Sequence, residues 1–182
     1  MSRITTNLWF DTEALEAAEH YVAIFPRSRI NDVSRYGDAA PRPAGTVLTV
    51  AFELDGQPYL ALNGGPEHRF TEAISLVVSC DDQEQVDHCW AALVDGGEPG
   101  QCGWLKDRYG LSWQVVPDGL GAVLGDPDPE RAGRAMQAML GMQKLDIAEL
   151  RAAAAVSSTD GASVSCGAPG AALVRDDERM AR

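Results

Sequence analysis

The order of predicted elements occurs twice along the first 118 residues, and this repeat limits the chain to folds built from two similar units. Each unit predicts a strand, then a helix, then a run of strands. In the first unit these lie at 4–10, at 13–25, and at 29–36, 46–54 and 59–63. In the second, a strand at 73–80 precedes a helix with apolar positions at Val86, Cys89, Trp90, Leu93 and Val94. Asp81, with Glu84 three residues later, predicts the start of this second helix.

Two hairpins are predicted from turn residues. Asp55-Gly56 joins two alternating strands, a strong signal for a tight turn. The segment from Gln101 to Pro117 places two apolar runs on either side of Asp107-Arg108-Tyr109-Gly110, where Gly110 permits the chain to reverse. This second hairpin holds two of the four Trp residues, and it is a plausible wall of a small-molecule pocket.

The net charge and the short length of the apolar runs argue against nucleic acid and membranes as partners. The chain of 182 residues carries a formal net charge of −12, which repels phosphate groups, so we expect neither nucleic acid nor membrane as a partner. No apolar run reaches the roughly 18 residues needed to span a bilayer. The four Cys lack paired metal-ligand spacing, which predicts reduced thiols and a cytoplasmic location.

The C-terminal third predicts helices followed by a tail. Asp128-Pro129 predicts a helix start because proline suits a first helical position, and this helix is expected to end near 140–141. Asp146 predicts a second, shorter helix that ends near Ala154. Residues 155–182 are rich in Ser, Gly and Ala without periodicity, so we predict an irregular or mobile tail.

Several segments together resemble the PhnB-like group, whose members are often labelled 3-demethylubiquinone-9 3-methyltransferase. They are L-W-F-D (8–11), F-E-L-D-G-Q (52–57), A-L-N-G-G-P (61–66), E-A-I-S (72–75), Q-C-G-W-L-K-D-R-Y-G-L-S-W-Q (101–114) and K-L-D-I-A-E-L (144–150). This group is part of the vicinal oxygen chelate superfamily, which includes glyoxalase I, bleomycin-resistance proteins and extradiol dioxygenases. The resemblance covers residues 3 to about 154.

The resemblance implies an α+β fold in which two βαβββ modules form a curved mixed sheet around a cleft, with C-terminal helices and commonly as a homodimer. The domain is expected at 1–154, with modules at about 3–66 and 72–118 and helices at about 128–154. Metal-dependent members carry a His or Glu at four strand positions. In this chain those positions correspond to Thr5 or Asn7, Ala61, Ser75 and Gln114, none of which is a good ligand for a divalent metal.

Strand alternation predicts which side chains share the cleft with these four positions. The predicted set is polar and aromatic, which suits recognition of a small-molecule ligand by hydrogen bonds, and Trp113 is expected to face the core instead. A filled polar interior without a ligand is the alternative. The predicted ligand-binding residues are Asn7, Trp9, Tyr59, Asn63, Ser75, Trp104, Lys106 and Gln114.

The remaining reactive groups favour structural interpretations. Cys102 lacks a nearby base in sequence and is expected to be a small apolar residue. Lys106 is expected to form a surface ion pair with Asp107, with contact to a substrate anion as the alternative. His20 and His88 are expected to be solvated on helices, and the Met residues at 136, 139 and 142 are expected to serve packing.

These features predict a small-molecule-binding vicinal oxygen chelate protein that is metal-independent or catalytically inert. No metal site, cofactor or catalytic residue is predicted. The alternative is a metal-dependent enzyme of the glyoxalase or dioxygenase type that recruits ligands such as His68 and Glu72. A methyltransferase, as the family label suggests, is disfavoured because Gly64-Gly65-Pro66 precedes a strand, whereas a cofactor-binding glycine turn leads into a helix.

Overall fold

A computed structural model describes residues 4–39 and 41–156. The first module contains β1 (Thr6–Phe10), α1 (Ala14–Ile24), β2 (Arg29–Arg35), β3 (Val47–Leu54) and β4 (Gln57–Asn63). The second contains β5 (Ser75–Cys80), α2 (Gln83–Val94), β6 (Glu98–Pro99), β7 (Trp104–Lys106) and β8 (Ser112–Pro117). The helices α3 (Leu120–Leu124), α4 (Pro129–Leu140) and α5 (Ile147–Ala155) follow. The predicted α+β fold of two βαβββ modules with C-terminal helices is confirmed. From residue 157 onward, the predicted tail lies outside the described residues.

Each module forms its own four-stranded mixed sheet. The strand orders are β1-β4-β3-β2 and β5-β8-β7-β6, and in each sheet the first strand runs parallel to the fourth. The Asp55-Gly56 turn is confirmed: both residues have positive φ, 47° and 78°, as a tight hairpin turn requires. The Gln101–Pro117 hairpin is confirmed by the antiparallel pairing of β7 with β8.

The two sheets enclose one continuous core that contains α1 and α2. Tyr21 of α1 contacts both sheets: its ring centroid lies 6.5 Å from that of Phe52 on β3 and 5.3 Å from that of Trp113 on β8. All three rings are buried, as predicted for Trp113. We call the side of each sheet that carries Phe52 or Trp113 its core face. The opposite side, its open face, points away from this core.

A buried carboxylate joins the second hairpin to the core. Asp107 is only 3% exposed, and its Oδ2 accepts hydrogen bonds from the Tyr21 hydroxyl at 2.6 Å and from Trp113 Nε1 at 2.8 Å. Its Oδ1 accepts from the backbone N–H groups of Tyr109 and Leu111 at 2.9 and 3.0 Å. The prediction of a surface ion pair between Lys106 and Asp107 is therefore wrong, because four donors hold Asp107 inside the protein.

Side-chain caps define where most helices begin. α2 begins after Asp82, whose side chain accepts from the backbone N–H of Gln85, so the cap lies one residue later than predicted. Asp128 and Asp146 cap α4 and α5 as expected. α1 has no cap of its own; instead Asn63 Oδ1 accepts from the Ala14 N–H at 2.8 Å. These bonds satisfy N–H groups that the first helical turn leaves free.

The C-terminal helices form a second small core on one side of the second module. Met142, Leu145, Ile147 and Leu150 are buried together, with Met139 packed against them, whereas Met136 is 38% exposed. Backbone bonds from Cys102 and Gly103 to Met142 and Gln143, each 2.7 Å, attach these helices to the start of the hairpin. No helix within 4–39 and 41–156 is long and apolar enough to cross a membrane.

Candidate functional site

The predicted ligand residues on the first sheet divide between its two faces. In the parallel pairing of β1 and β4, Asn7 lies beside Leu60 and Trp9 beside Leu62, so these four side chains share the open face. Tyr59 and Asn63 lie on the core face instead. The expectation that all four predicted residues share one cleft is therefore wrong, because alternation defines the faces of each strand but not their alignment with the next strand.

Asn63 and Tyr59 make contacts that belong to the core. Asn63 is 4% exposed, and in addition to capping α1 its Nδ2 donates to the carbonyl of Val47 at 3.1 Å. The Tyr59 ring stacks on Phe52, with centroids 5.5 Å apart. Burial raises the pKa of Tyr59 from its ordinary value. In this arrangement Asn63, at the end of β4, links the start of β3 to the start of α1.

The second sheet gathers four predicted residues on its open face. Trp104 lies beside Gln114 and Lys106 beside Ser112 in the β7–β8 pairing, while Ser75 lies beside Ser112 on the other flank. Gln114 Nε2 donates to Ser75 Oγ at 2.8 Å. Ser112 is fully buried, and its Oγ has no hydrogen-bond partner among the described residues. The result is a row of neutral polar groups flanked by one indole ring and one ammonium group.

Lys106 at the end of this row pairs with Glu72 from the segment that joins the modules. The hydrogen bond from Lys106 lowers the pKa of Glu72, and the same bond raises the pKa of Lys106. Both side chains are substantially exposed, so the pair adds little stability.

The four strand positions that the family resemblance assigns to metal ligands carry no good metal ligand in this chain. Ala61 is fully buried on the core face, and its neighbours on the open face, Leu60 and Leu62, also lack donor atoms. The other positions offer only the neutral oxygens of Thr5 or Asn7, Ser75 and Gln114. Such a set does not fit a divalent cation, which binds to imidazole, thiolate or carboxylate groups in most protein sites.

The alternative metal ligands are engaged elsewhere. His68 lies edge-on to Trp9, with ring centroids 4.7 Å apart, whereas Glu72 pairs with Lys106. Among the described residues, no group of three His, Cys, Asp or Glu side chains is placed to hold a metal ion.

Cys102 and His20 have defined structural surroundings. Cys102 is half-buried with a φ of 58°, and its thiol donates to the carbonyl of Met139 at 3.5 Å, consistent with the structural role predicted for it. His20 is not solvated as predicted: its Nε2 is buried without a partner among the described residues. Burial, followed by the nearby Arg108 charge, lowers the pKa of His20 below its ordinary value.

A groove of about 530 Å³ lies where the two modules meet. Trp9 and Lys106 line it, so two predicted residues from different sheets do come together here. Sequence reasoning missed the other walls, which include Glu13, Glu16, Phe70 and Tyr109. In the sequence, Glu13 and Glu16 have the appearance of ordinary charges in the first turn of a helix, because the groove brings together segments far apart in the chain.

Comparison with known proteins supplies the family context. The model of the family described as 3-demethylubiquinone-9 3-methyltransferase matches residues 2–116, which span both modules but not α3–α5. A Bacillus cereus structure, described as a PhnB protein and candidate 3-demethylubiquinone-9 3-methyltransferase, is 34% identical, with a TM-score of 0.59 over 64% of this chain and 99% of that chain.

A more distant structure shares the fold alone. Protein PA1353 from Pseudomonas aeruginosa is 19% identical, with a TM-score of 0.54 over 64% of this chain and 98% of that chain. The fosfomycin resistance protein FosX from Listeria monocytogenes is 12% identical, with a TM-score of 0.43 over 64% of this chain and 93% of that chain. No curated protein matches the chain.

Proposed function

The chain belongs to the family described as 3-demethylubiquinone-9 3-methyltransferase, the PhnB-like group of the vicinal oxygen chelate superfamily, and from this premise we propose that it binds a small molecule without a metal ion. One observation carries the proposal: the strand positions that hold the metal in relatives offer only neutral oxygens or hydrocarbon. Neutral donors beside aromatic rings suit a polar organic ligand. A cytoplasmic location is part of the proposal, since Cys80, Cys89 and Cys102 are free thiols.

The open face of the second sheet is the proposed ligand surface, with Ser75, Trp104, Lys106 and Gln114 as contacts. Asn7 and Trp9 occupy the open face of the first sheet, and Trp9 also lines the groove between the modules together with Lys106. Asn7 does not line that groove, and a second copy that places one open face against the other would bring it to Ser75, Trp104 and Gln114. Exposed apolar groups support a homodimer, because Val77 on this face is 58% exposed and Ile74, just before β5, is 71% exposed.

The dimer is tested by sedimentation equilibrium of the full chain at micromolar concentration. We expect a dimer, and we expect Val77→Lys to shift it toward monomer because the charge lies in the apolar contact. Val156→Lys, an equally exposed apolar position on the C-terminal helices, serves as the matched control and should remain dimeric. A monomeric parent protein, or equal dissociation of both variants, would contradict this arrangement.

The ligand surface is tested by replacing Gln114. After a thermal-shift screen of metabolites identifies a ligand, calorimetry should show that Gln114→Ala weakens binding by about 1–3 kcal/mol, the cost of a lost buried hydrogen bond. Gln57→Ala is the control, since Gln57 is an exposed residue at the start of β4. Unchanged affinity in Gln114→Ala would show that this residue does not contact the ligand.

The methyltransferase in the family description is the less favoured function. Gly64 and Gly65 follow β4 and lead toward β5, with no helix at whose N-terminus a cofactor could bind. A Cβ added at Gly64 would lie 2.2 Å from the Trp9 ring, so this glycine serves close packing with an indole. A calorimetric titration with S-adenosylmethionine distinguishes the two proposals, and we expect no binding.

A further inference from the structure

The groove where the two modules meet has features of a second binding site, separate from the Ser75–Gln114 pair. It is formed by the end of β1, the start of α1, the inter-module segment 66–70 and the turn between β7 and β8. Its volume of about 530 Å³ is within the range of small-molecule pockets, roughly 300–1,000 Å³. No residue of the predicted metal positions lines it.

The floor of the groove is aromatic. Phe10 lies between two other rings, with centroids 5.2 Å from Phe70 and 6.1 Å from Tyr109, both in edge-to-face geometry. Trp9 adds its indole ring, which is held in place by the bond from Nε1 to the carbonyl of Gly65 at 2.8 Å. Four aromatic side chains at one surface favour a ligand that is flat and apolar or one that carries a cation over a ring face.

Several charged side chains that line the groove form ion pairs with residues outside it. Lys106 and Arg108 line the groove but pair with Glu72 and Asp95, neither of which lines it. Asp11 pairs in turn with Arg42, with N and O atoms 3.6 Å apart. The basic groups at the rim are therefore largely neutralised by acids outside the groove.

Two carboxylates remain without a cationic partner among the described residues. Glu16 accepts a hydrogen bond from the Tyr109 hydroxyl at 3.1 Å, and Glu13 accepts from the Thr12 N–H at 2.9 Å, but neither forms an ion pair. Burial and then the bond to Glu16 raise the pKa of Tyr109 to about 12, so it stays neutral. Arg69, an exposed residue of the inter-module segment, also lines the groove.

We propose that this groove binds an organic cation, a protonated amine on a small apolar body. The aromatic floor receives the apolar body, and Glu13 and Glu16 receive the ammonium group. The net charge of −12 over the whole chain favours the approach of cations to it. Arg69 at the rim repels the same cation, but it is exposed to solvent, which weakens this repulsion, and the two carboxylates outnumber it.

Three probes of one shape test the proposal: benzylammonium, benzyl alcohol and benzoate, titrated against the full chain and followed by ¹H–¹⁵N NMR. Benzylammonium should bind with a dissociation constant in the range of about 1 mM, as its few atoms allow, and should shift the amides of residues 13–17 and 109–110. Benzyl alcohol should bind about tenfold more weakly, a difference of about 1.4 kcal/mol, and benzoate more weakly still.

A pair of charge-matched variants isolates the role of the groove. Glu16→Gln should weaken benzylammonium binding by about threefold to tenfold, whereas Glu19→Gln, an exposed position of the same helix outside the groove, should change it by less than about twofold. Equal binding of the three probes, equal effects of the two variants, shifts confined to other residues, or no saturable shift would overturn the proposal. None of these outcomes bears on Gln114, so the two proposals fail separately.

Discussion

Replacing Asp107 with alanine should strongly destabilise the protein, although sequence gives this residue the appearance of a surface charge. The change removes the acceptor of the Tyr21 hydroxyl and of Trp113 Nε1, both of which are buried donors. Each buried donor left without a partner costs about 1–3 kcal/mol. Relief from burying a carboxylate offsets part of this sum, so we expect a loss of about 2–4 kcal/mol.

Equilibrium unfolding in urea, monitored by Trp fluorescence and circular dichroism, gives the loss directly. For a chain of this size the loss corresponds to about 4–16 °C in melting temperature. Asp107→Asn should fall between the alanine variant and the parent, because an amide oxygen can serve only one of the two donor pairs. Asp32→Ala is the control: Asp32 is exposed on β2, and its loss should change stability by less than about 0.5 kcal/mol. A loss below about 1 kcal/mol for Asp107→Ala would refute the assigned role.

Two further predictions concern packing and pH. Gly64→Ala should destabilise the protein by about 1–3 kcal/mol, since its Cβ would displace the Trp9 ring, whereas Gly133→Ala, with open space around it on α4, should stabilise by up to about 1 kcal/mol. A urea series on both variants measures this contrast, and a neutral Gly64→Ala would contradict the packing. Burial and then the Asp107 charge raise the pKa of Tyr21 well above its ordinary value. The stability that Tyr21 contributes should therefore be complete below about pH 10, where the tyrosine of the unfolded chain begins to ionise. It should fall as the pH rises toward the raised pKa of Tyr21 in the folded protein. Tyr21→Phe should flatten this alkaline decline, and an unchanged slope would refute the linkage.

Local signals in the sequence predict most of the fold. The Asp55-Gly56 turn, the Asp128-Pro129 helix start and the repeated order of elements depend on neighbours in the chain, and all three agree with the structure. The short helix α3 was not predicted, because its five residues are too few for a periodic pattern to emerge.

The site was predictable only in part, because tertiary contacts decide it. Strand alternation correctly grouped Ser75 with Gln114, yet it placed Asn63 with Trp9 because the relative alignment of β4 and β1 does not follow from either strand alone. Asp107 beside Lys106 resembles a surface ion pair in sequence. Its burial becomes favourable when Tyr21 and Trp113, 92 residues apart, both donate to it, in addition to the backbone N–H groups of Tyr109 and Leu111.

The central claim is that this chain binds its ligand with neutral donors and without a metal ion. The most direct test is the metal content of the purified, untagged full chain, combined with melting scans after chelation and after addition of Zn²⁺, Ni²⁺, Mn²⁺ or Fe²⁺. A specific metal at 100 times its dissociation constant would add about 2.7 kcal/mol, or about 5–11 °C for a chain of this size. We expect substoichiometric metal and no such shift. One metal ion per chain with a shift of this size would contradict the account and indicate a metal-dependent enzyme.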